Sequence, residues 1–84
     1  MTTNEIETMI EAGFEAAQVI VKGENGMFDA TVIADIFAGL SPVKKQQMVY
    51  ATVNTQITSG EIHALSIKAY TPKEWQTASK LRIG

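Results

Sequence analysis

Residues 17–34 read AQVIVKGENGMFDATVIA, and this stretch decides the fold. On both sides of the central Gly-Glu-Asn-Gly segment, a mainly apolar set of positions alternates with a more polar set, which is the period of a β-strand. The glycines and the asparagine of residues 23–26 tolerate a positive φ, the angle that tight hairpin turns need. The stretch therefore predicts two strands joined as an antiparallel hairpin.

A helix is predicted before the hairpin, over residues 4–14. Thr2 with Glu5, or Asn4 with Glu7, fits a capping box in which a side chain and a backbone N–H exchange hydrogen bonds. Apolar residues recur at helical spacing, and the acidic side chains lie elsewhere on the helical wheel. These apolar residues are Ile6, Met9, Ile10 and Phe14.

A longer helix is predicted after the hairpin, following a short turn over residues 35–40. Ser41 can cap this helix, and Pro42 suits its first position because proline lacks only an N–H that would have no partner there. The helix is expected to run to about Thr58 and to stop at Gly60. The residues expected to be buried along it are Val43, Tyr50, Val53 and Ile57.

The remaining chain predicts a third strand over residues 62–70 and a last helix from Thr71-Pro72 onward. The strand places His63, Leu65, Ile67 and Ala69 on one side, and the helix holds Trp75, Ala78 and Leu81. The order αββαβα predicts an α+β fold, a two-layer α/β sandwich in which a three-stranded mixed sheet carries its helices on one face. We expect one domain over residues 1–84, with Tyr50 and Trp75 completing its core.

Composition restricts the class of protein. The chain has 84 residues, no cysteine and a hydrophobic share of 45%. Its longest apolar runs are too short to span a bilayer, and the first residues do not form a signal peptide. Residues 1–40 carry seven acids and one lysine, whereas residues 41–84 carry six bases and two acids. We therefore expect a cytoplasmic protein that makes no membrane contact. Its basic C-terminal half is either solvated surface charge or a face aimed at an acidic partner or at phosphates.

No catalytic constellation is evident in the sequence. The single histidine has no cysteine to activate, and no serine lies in a nucleophile-elbow sequence. Residues 23–26 have neither the length nor the lysine of a phosphate-binding loop. The sequence therefore predicts a binding protein and not an enzyme.

His63 has two interpretations at this point. It is either a boundary histidine that donates a hydrogen bond to a nearby carbonyl, or a metal ligand at the edge of the sheet. One imidazole cannot hold a metal alone, so a metal site would have to include ligands from a second molecule.

The stretch from Ile62 to Trp75, IHALSIKAYTPKEW, strongly resembles the C-terminal signature of the BolA family. Residues 37–39 and 43–50 match the middle segment of that family at the expected separation, and their Lys-Lys-Gln-Gln form resembles the IbaG (YrbA) branch. The resemblance covers nearly the whole chain. BolA-like proteins have a fold similar to the type II KH fold, which agrees with the predicted order of elements.

The resemblance implies that the chain is a partner of monothiol glutaredoxins in iron-sulfur cluster trafficking or iron homeostasis. In such pairs a 2Fe-2S cluster is shared with the glutaredoxin and glutathione, and none is bound by the isolated protein. The histidine at position 63 matches the family's ligand. Met27 stands where the family normally has its second ligand, a histidine or cysteine, so the sequence departs from the pattern there. A thioether is a poor ligand for ferric iron, whereas Glu24, Asp29 or water are harder alternatives. We therefore expect either a more labile shared cluster or a heterodimer without a cluster.

The alternative function is that of a nucleic-acid-binding, KH-like transcription regulator in stress response. Lysines in the C-terminal half could contact phosphates of DNA or a partner, and they are Lys44, Lys45, Lys68 and Lys73. However, KH recognition requires a Gly-x-x-Gly loop, and Gly39-Leu40-Ser41-Pro42 stands in its place. Weak DNA binding at most is therefore expected, and the sequence leaves a homodimer open.

Overall fold

The protein, seen in a computed structural model that describes residues 1–81, has the predicted order of elements. A 3₁₀ turn at Asp35–Phe37 lies between the second strand and the second helix. The helices and strands are α1 (Thr3–Ala12), β1 (Gln18–Glu24), β2 (Met27–Ile33), α2 (Pro42–Ser59), β3 (Ala64–Tyr70) and α3 (Pro72–Leu81).

The three strands form one mixed sheet in the order β1-β2-β3. β1 and β2 are antiparallel and are joined by the hairpin, whereas β2 and β3 are parallel. Parallel neighbours need a long crossover connection, and α2 supplies it. The predicted α+β fold with a mixed sheet is therefore confirmed.

The hairpin turn has the geometry that its residues predict. Glu24 pairs with Met27, which leaves Asn25 and Gly26 as the two turn residues. Their φ values are 56° and 78°, so both lie in the left-handed region that a type I′ turn requires. Asparagine tolerates this region and glycine adopts it without steric cost, which explains why this segment forms the turn.

The helix caps follow the sequence closely. The N–H of Thr2 donates to Glu5 Oε1 at 2.8 Å, and the N–H of Glu5 donates to Thr2 Oγ1 at 3.1 Å, so the capping box uses Thr2 and not Asn4. Ser41 Oγ accepts from the N–H of Lys44 at the start of α2. At the other end, Gly60 caps α2 with a φ of 86°.

The hydrophobic core lies between the sheet and the helices α1 and α2. These helices cover one face, which we call the inner face, and the alternate side chains of each strand point into it. Each of the core residues is at most 9% exposed. They are Ile6, Ile10, Val21, Phe28, Ala30, Val32, Ala34, Phe37, Val49, Val53, Ile62, Leu65 and Ile67.

The burial predicted along α2 is wrong at two positions. Val49 and Val53 are fully buried, whereas Val43 is 64% exposed and Tyr50 is 38% exposed. Residues advance roughly 100° around a helix, so Val43 and Tyr50 lie well off the line through Val49 and Val53. Ile57 lies closer to this line and is half-buried, in partial agreement with the prediction.

Tyr50 has a polar function instead of a place in the core. Its hydroxyl donates to the carbonyl oxygen of Leu65 at 3.0 Å, on the edge of β3 that faces away from β2. On the opposite edge of the sheet, Glu7 Oε2 accepts the N–H of Val21 at 2.9 Å. Side chains of the helices therefore satisfy backbone groups at both edges of the sheet, where unpaired groups invite pairing with another chain.

The expectation that all helices lie on one face is wrong for α3. Trp75 lines a cavity together with the face of the sheet that α1 and α2 leave uncovered, which we call the outer face. The indole packs against Tyr70 with ring centroids 5.5 Å apart, and it is half-buried instead of completing the core. Ala78 is also half-buried, and the side chain of Leu81 lies outside the described part of the structure.

Candidate functional site

His63 lies between the end of α2 and the start of β3, one residue before the strand that it was expected to open. Ile62, which precedes it, is 1% exposed, and its N–H donates to the carbonyl oxygen of Gln56. The N–H groups of His63 and Ala64 both donate to the carbonyl oxygen of Gly26, at 2.7 and 3.0 Å. The backbone on both sides of the histidine is therefore held against α2 and the hairpin turn.

The imidazole of His63 packs over Gly26 and remains exposed to solvent. A Cβ atom at Gly26 would lie 2.7 Å from Cδ2 and 3.0 Å from Cγ of the ring, closer than ordinary van der Waals contact. Within residues 1–81, neither ring nitrogen has a hydrogen-bond partner. Among the described residues, His63 therefore does not donate to a carbonyl as the boundary interpretation expects, and its side chain is exposed.

Met27 lies at the same end of the sheet as His63. It is the first residue of β2, is paired with Ala64, and is 64% exposed. Its neighbour Phe28 is 4% exposed and points into the core, so Met27 lies on the outer face. The hairpin thus brings Met27, where the resemblance places a second ligand, to the same end of the sheet as His63, and Gly26, which precedes Met27 in the chain, contacts the imidazole.

The residues present can contribute to a metal site but cannot complete one. In the described part of the chain, no group of three or more His, Cys, Asp or Glu side chains is placed to hold a metal ion. His63 offers one exposed nitrogen donor, and protein-bound iron-sulfur clusters need several ligands. This donor set fits a cluster shared with a second molecule and does not fit a resident metal.

The four lysines proposed as phosphate or partner contacts do not share one element. Lys44 and Lys45 lie in the first turn of α2, Lys68 on the outer face of β3, and Lys73 in the first turn of α3. Lys44, Lys68 and Lys73 are exposed. Lys45 is only 13% exposed and forms an ion pair with Glu74 at 3.2 Å, so its charge is already partnered.

Glu74 caps the start of α3 and links this helix to α2. Its carboxylate accepts the N–H of Thr71 at 2.8 Å and a hydrogen bond from Lys45 Nζ. The Thr71 hydrogen bond, followed by the Lys45 contact, holds the pKa of Glu74 below its ordinary value. This capping arrangement orients the helix that carries Trp75 and Lys73.

Sequence reasoning did not identify the contact between Gly26 and His63. Gly26 was interpreted only as a turn residue, which its φ of 78° confirms. No local pattern signals the second role, because the two residues are far apart in the chain and meet only when β2 and β3 pair. The outer-face positions of Lys22 and Asp29 were likewise not singled out as a site.

None of the described helices is long and apolar enough to cross a membrane.

Comparison with known proteins finds a matching family model, similar sequences and similar solved structures. A family model described as "BolA-like protein" matches residues 5–74. The acid stress protein IbaG of Escherichia coli strain K12 is 41% identical over 81 residues, which are 96% of each chain. The solved structure of a bolA protein homologue from Coxiella burnetii superposes with a TM-score of 0.82 at 35% identity, covering 90% of this chain and 97% of that one.

A more distant relative carries a different functional name. The DNA-binding transcriptional regulator BolA of Vibrio cholerae is 39% identical over 57 residues. The match covers 68% of this chain and 53% of that protein. Similar proteins are thus named as stress proteins or transcriptional regulators, and these names do not denote enzymes.

Proposed function

The chain belongs to the BolA-like protein family, and from this premise we propose that it binds a monothiol glutaredoxin and supplies His63 as a ligand to a shared 2Fe-2S cluster. The family match over residues 5–74 confirms the resemblance identified from Ile62 to Trp75. The similarity to IbaG over nearly the whole chain agrees with the branch that the Lys-Lys-Gln-Gln segment indicated. The proposed role is in iron-sulfur cluster trafficking or iron homeostasis.

The observation that carries the proposal is the environment of His63. The backbone N–H groups of His63 and Ala64 are held by Gly26, so the residue has a defined position. The imidazole is exposed, and within residues 1–81 its nitrogens have no hydrogen-bond partner. A ligand of this kind can bind a cluster brought by a partner without breaking an existing interaction and at small cost in backbone entropy.

The chemistry that the chain supplies is a ligand exchange. The nitrogen lone pair of a neutral imidazole can bind iron. When His63 replaces another iron ligand, no electron is transferred and no covalent bond within the protein changes. The remaining ligands that the family resemblance implies are a glutaredoxin cysteine and glutathione, with Met27 at the position of the second family ligand.

Mixing the purified protein with a cluster-loaded monothiol glutaredoxin tests the proposal. The expected result is a change in visible absorption and circular dichroism that is absent with His63→Ala. Because His63 is exposed, far-UV circular dichroism should show that this variant remains folded. Asn54→Ala, which removes an exposed polar side chain of α2, is the matched control and should behave as the wild type.

An unchanged mixed spectrum for His63→Ala would contradict the shared-cluster function. Loss of the spectral change in both variants would point to a general effect on the complex and would also contradict a specific role of His63.

A second candidate function is DNA binding. The Vibrio cholerae relative is named a DNA-binding transcriptional regulator, and this chain has three exposed lysines at the positions first singled out. These three lysines lie on α2, β3 and α3. Because their ammonium groups are exposed, they are available for phosphate contacts. A mobility-shift assay at physiological salt distinguishes this function from glutaredoxin binding.

A further inference from the structure

The outer face of the sheet carries two rows of side chains that α1 and α2 leave open. Each row consists of one residue from each strand, and the strand register places these three residues side by side. Alternate positions along a strand point to the same face, so both rows lie on the outer face. The two rows are Lys22–Asp29–Ser66 and Ile20–Thr31–Lys68. The second row lies nearer to Tyr70 and to the start of α3.

These rows form the floor of a cavity of about 380 Å³ that Trp75 closes at one end. The indole is oriented by its packing against Tyr70, at a centroid distance of 5.5 Å and an interplanar angle of 50°. Ile20 also lines the cavity and adds a second apolar side chain to its wall. A volume of this size lies within the range of small-molecule sites, which combine an apolar wall with a few polar groups.

The charged side chains and the hydroxyls of the cavity have no partner among the described residues. Among the described residues, Lys22, Asp29 and Lys68 form no ion pair, and the hydroxyls of Thr31 and Ser66 form no hydrogen bond. The charged side chains are two lysines and one aspartate, so an anion is favoured overall. Asp29 repels an anion from the middle of its own row, and Lys68, in the row nearer to Trp75, is the favoured contact.

We propose that this cavity binds a nucleoside monophosphate, independently of the cluster function assigned to His63. The base packs against Trp75 and Ile20, the phosphate contacts Lys68, and the ribose hydroxyls donate to Asp29. Each of the three parts of the ligand thus meets a side chain of matching chemistry.

A single nucleotide fits this site better than a nucleic acid strand. Strand-binding surfaces present successive aromatic platforms along a basic groove, so that several bases stack in turn. Here one tryptophan closes one end of the cavity, and an aspartate lies between the two lysines. This arrangement provides for one base and one phosphate.

Trp75 is the only tryptophan of the chain, so its fluorescence reports directly on the site. Titration with adenosine monophosphate at low salt should quench the emission to saturation. Adenosine alone and inorganic phosphate alone should each bind at least about tenfold more weakly, because each lacks part of the ligand. Chemical shifts of the Thr31 and Ser66 amides provide a second readout that does not depend on the indole.

Variants of Lys68 test the phosphate contact. Lys68→Ala should weaken binding by about tenfold, and Lys68→Arg should keep it within about threefold because it retains the charge. Lys44→Ala is the matched control, since Lys44 is also an exposed lysine but lies on α2, on the other side of the sheet. Its affinity for adenosine monophosphate should equal that of the wild type.

Four results would overturn the proposal. The first is that neither the fluorescence nor the two amide signals change at millimolar adenosine monophosphate. The second is equal binding of inorganic phosphate, which would indicate a simple anion site. The third is equal weakening by Lys44→Ala and Lys68→Ala. The fourth is tighter binding of a short single-stranded oligonucleotide through the same residues, which would make a strand the occupant.

Discussion

Gly26 and His63 are in direct contact through both backbone and side chain. The N–H of His63 donates to the carbonyl oxygen of Gly26 at 2.7 Å. The imidazole covers the α-carbon of the glycine so closely that a Cβ atom there would lie 2.7 Å from Cδ2 of the ring. The hairpin turn is therefore part of the environment that positions the proposed iron ligand.

Replacing Gly26 by alanine should displace the imidazole of His63. The φ of 78° strains any L-residue by about 1–2 kcal/mol, and the new methyl group would collide with the ring. Gly39→Ala is the matched control, because Gly39 has a φ of 77° but no atom within 4 Å of a built Cβ. Urea unfolding should show a loss of about 1 kcal/mol or more in both variants. Only Gly26→Ala should shift the imidazole NMR signals and impair cluster sharing. An unchanged His63 spectrum in Gly26→Ala would contradict this coupling.

Met27→His should lengthen the lifetime of the shared cluster. This substitution restores the residue type that the family normally has at this position, and imidazole is a better iron ligand than a thioether. Decay of the visible spectrum after mixing with cluster-loaded glutaredoxin measures the lifetime. Met27→Gln, which removes the thioether without supplying an imidazole, should not prolong it. If Met27→His has no effect while His63→Ala abolishes the signal, the exposed side chain at position 27 does not reach the iron.

Glu74 should contribute to the loss of stability at acid pH. Its folded-state pKa lies below the ordinary value of 4.5, chiefly because of the hydrogen bond from the Thr71 N–H and then the Lys45 contact. A lowered folded-state pKa means that the contribution is fully present above the unfolded-state pKa and is lost as the pH falls through the folded-state pKa.

Glu74→Gln removes this titration, so the acid limb of the stability curve should be flatter than in the wild type. Urea midpoints measured between neutral pH and strongly acid pH test this expectation. Glu11→Gln is the control, because Glu11 is an exposed glutamate whose side chain forms no hydrogen bond or ion pair with the described residues. Identical curves for Glu74→Gln and the wild type would show that the capping carboxylate does not contribute.

DNA binding through the exposed lysines should be weak and strongly salt-dependent. Lys45 is paired with Glu74, which leaves Lys44, Lys68 and Lys73 of the four lysines first singled out. So few phosphate contacts should be largely screened at about 0.2 M salt. Mobility shifts at increasing salt measure this dependence. Sub-micromolar affinity that persists at about 0.2 M salt would favour the regulator function over glutaredoxin binding.

Phe37 should be a sensitive position of the core. It is fully buried in the 3₁₀ turn and packs edge-on against Phe14, with ring centroids 5.5 Å apart. Phe37→Leu should lower the free energy of unfolding by about 1–2 kcal/mol, because it leaves a partly filled cavity and removes the aromatic pair. Ile36→Leu, at a neighbouring residue that is 58% exposed, should change it by less than about 0.5 kcal/mol. Equal effects in urea unfolding would contradict this assignment of the core.

The sequence alone was sufficient to predict the features that depend on residues close together in the chain. The capping box of Thr2 and Glu5, the start of α2 at Ser41-Pro42 and the turn at Asn25-Gly26 involve residues at most a few positions apart. Their side chains and permitted φ values act on the adjacent backbone, so the local sequence contains the necessary information. The strand period and the order of elements then led to the mixed sheet.

Tertiary packing decided the features that involve distant residues. Tyr50 lies beside the buried line of α2 and bonds to Leu65, and Trp75 packs on the outer face. Helical spacing shows that a side chain can be buried but not which helix face meets the sheet, because that depends on where the crossover places the helix. His63 was recognisable as a candidate ligand from the sequence. Its contact with Gly26, which holds the backbone and leaves the imidazole exposed, exists only because β2 and β3 pair in one register.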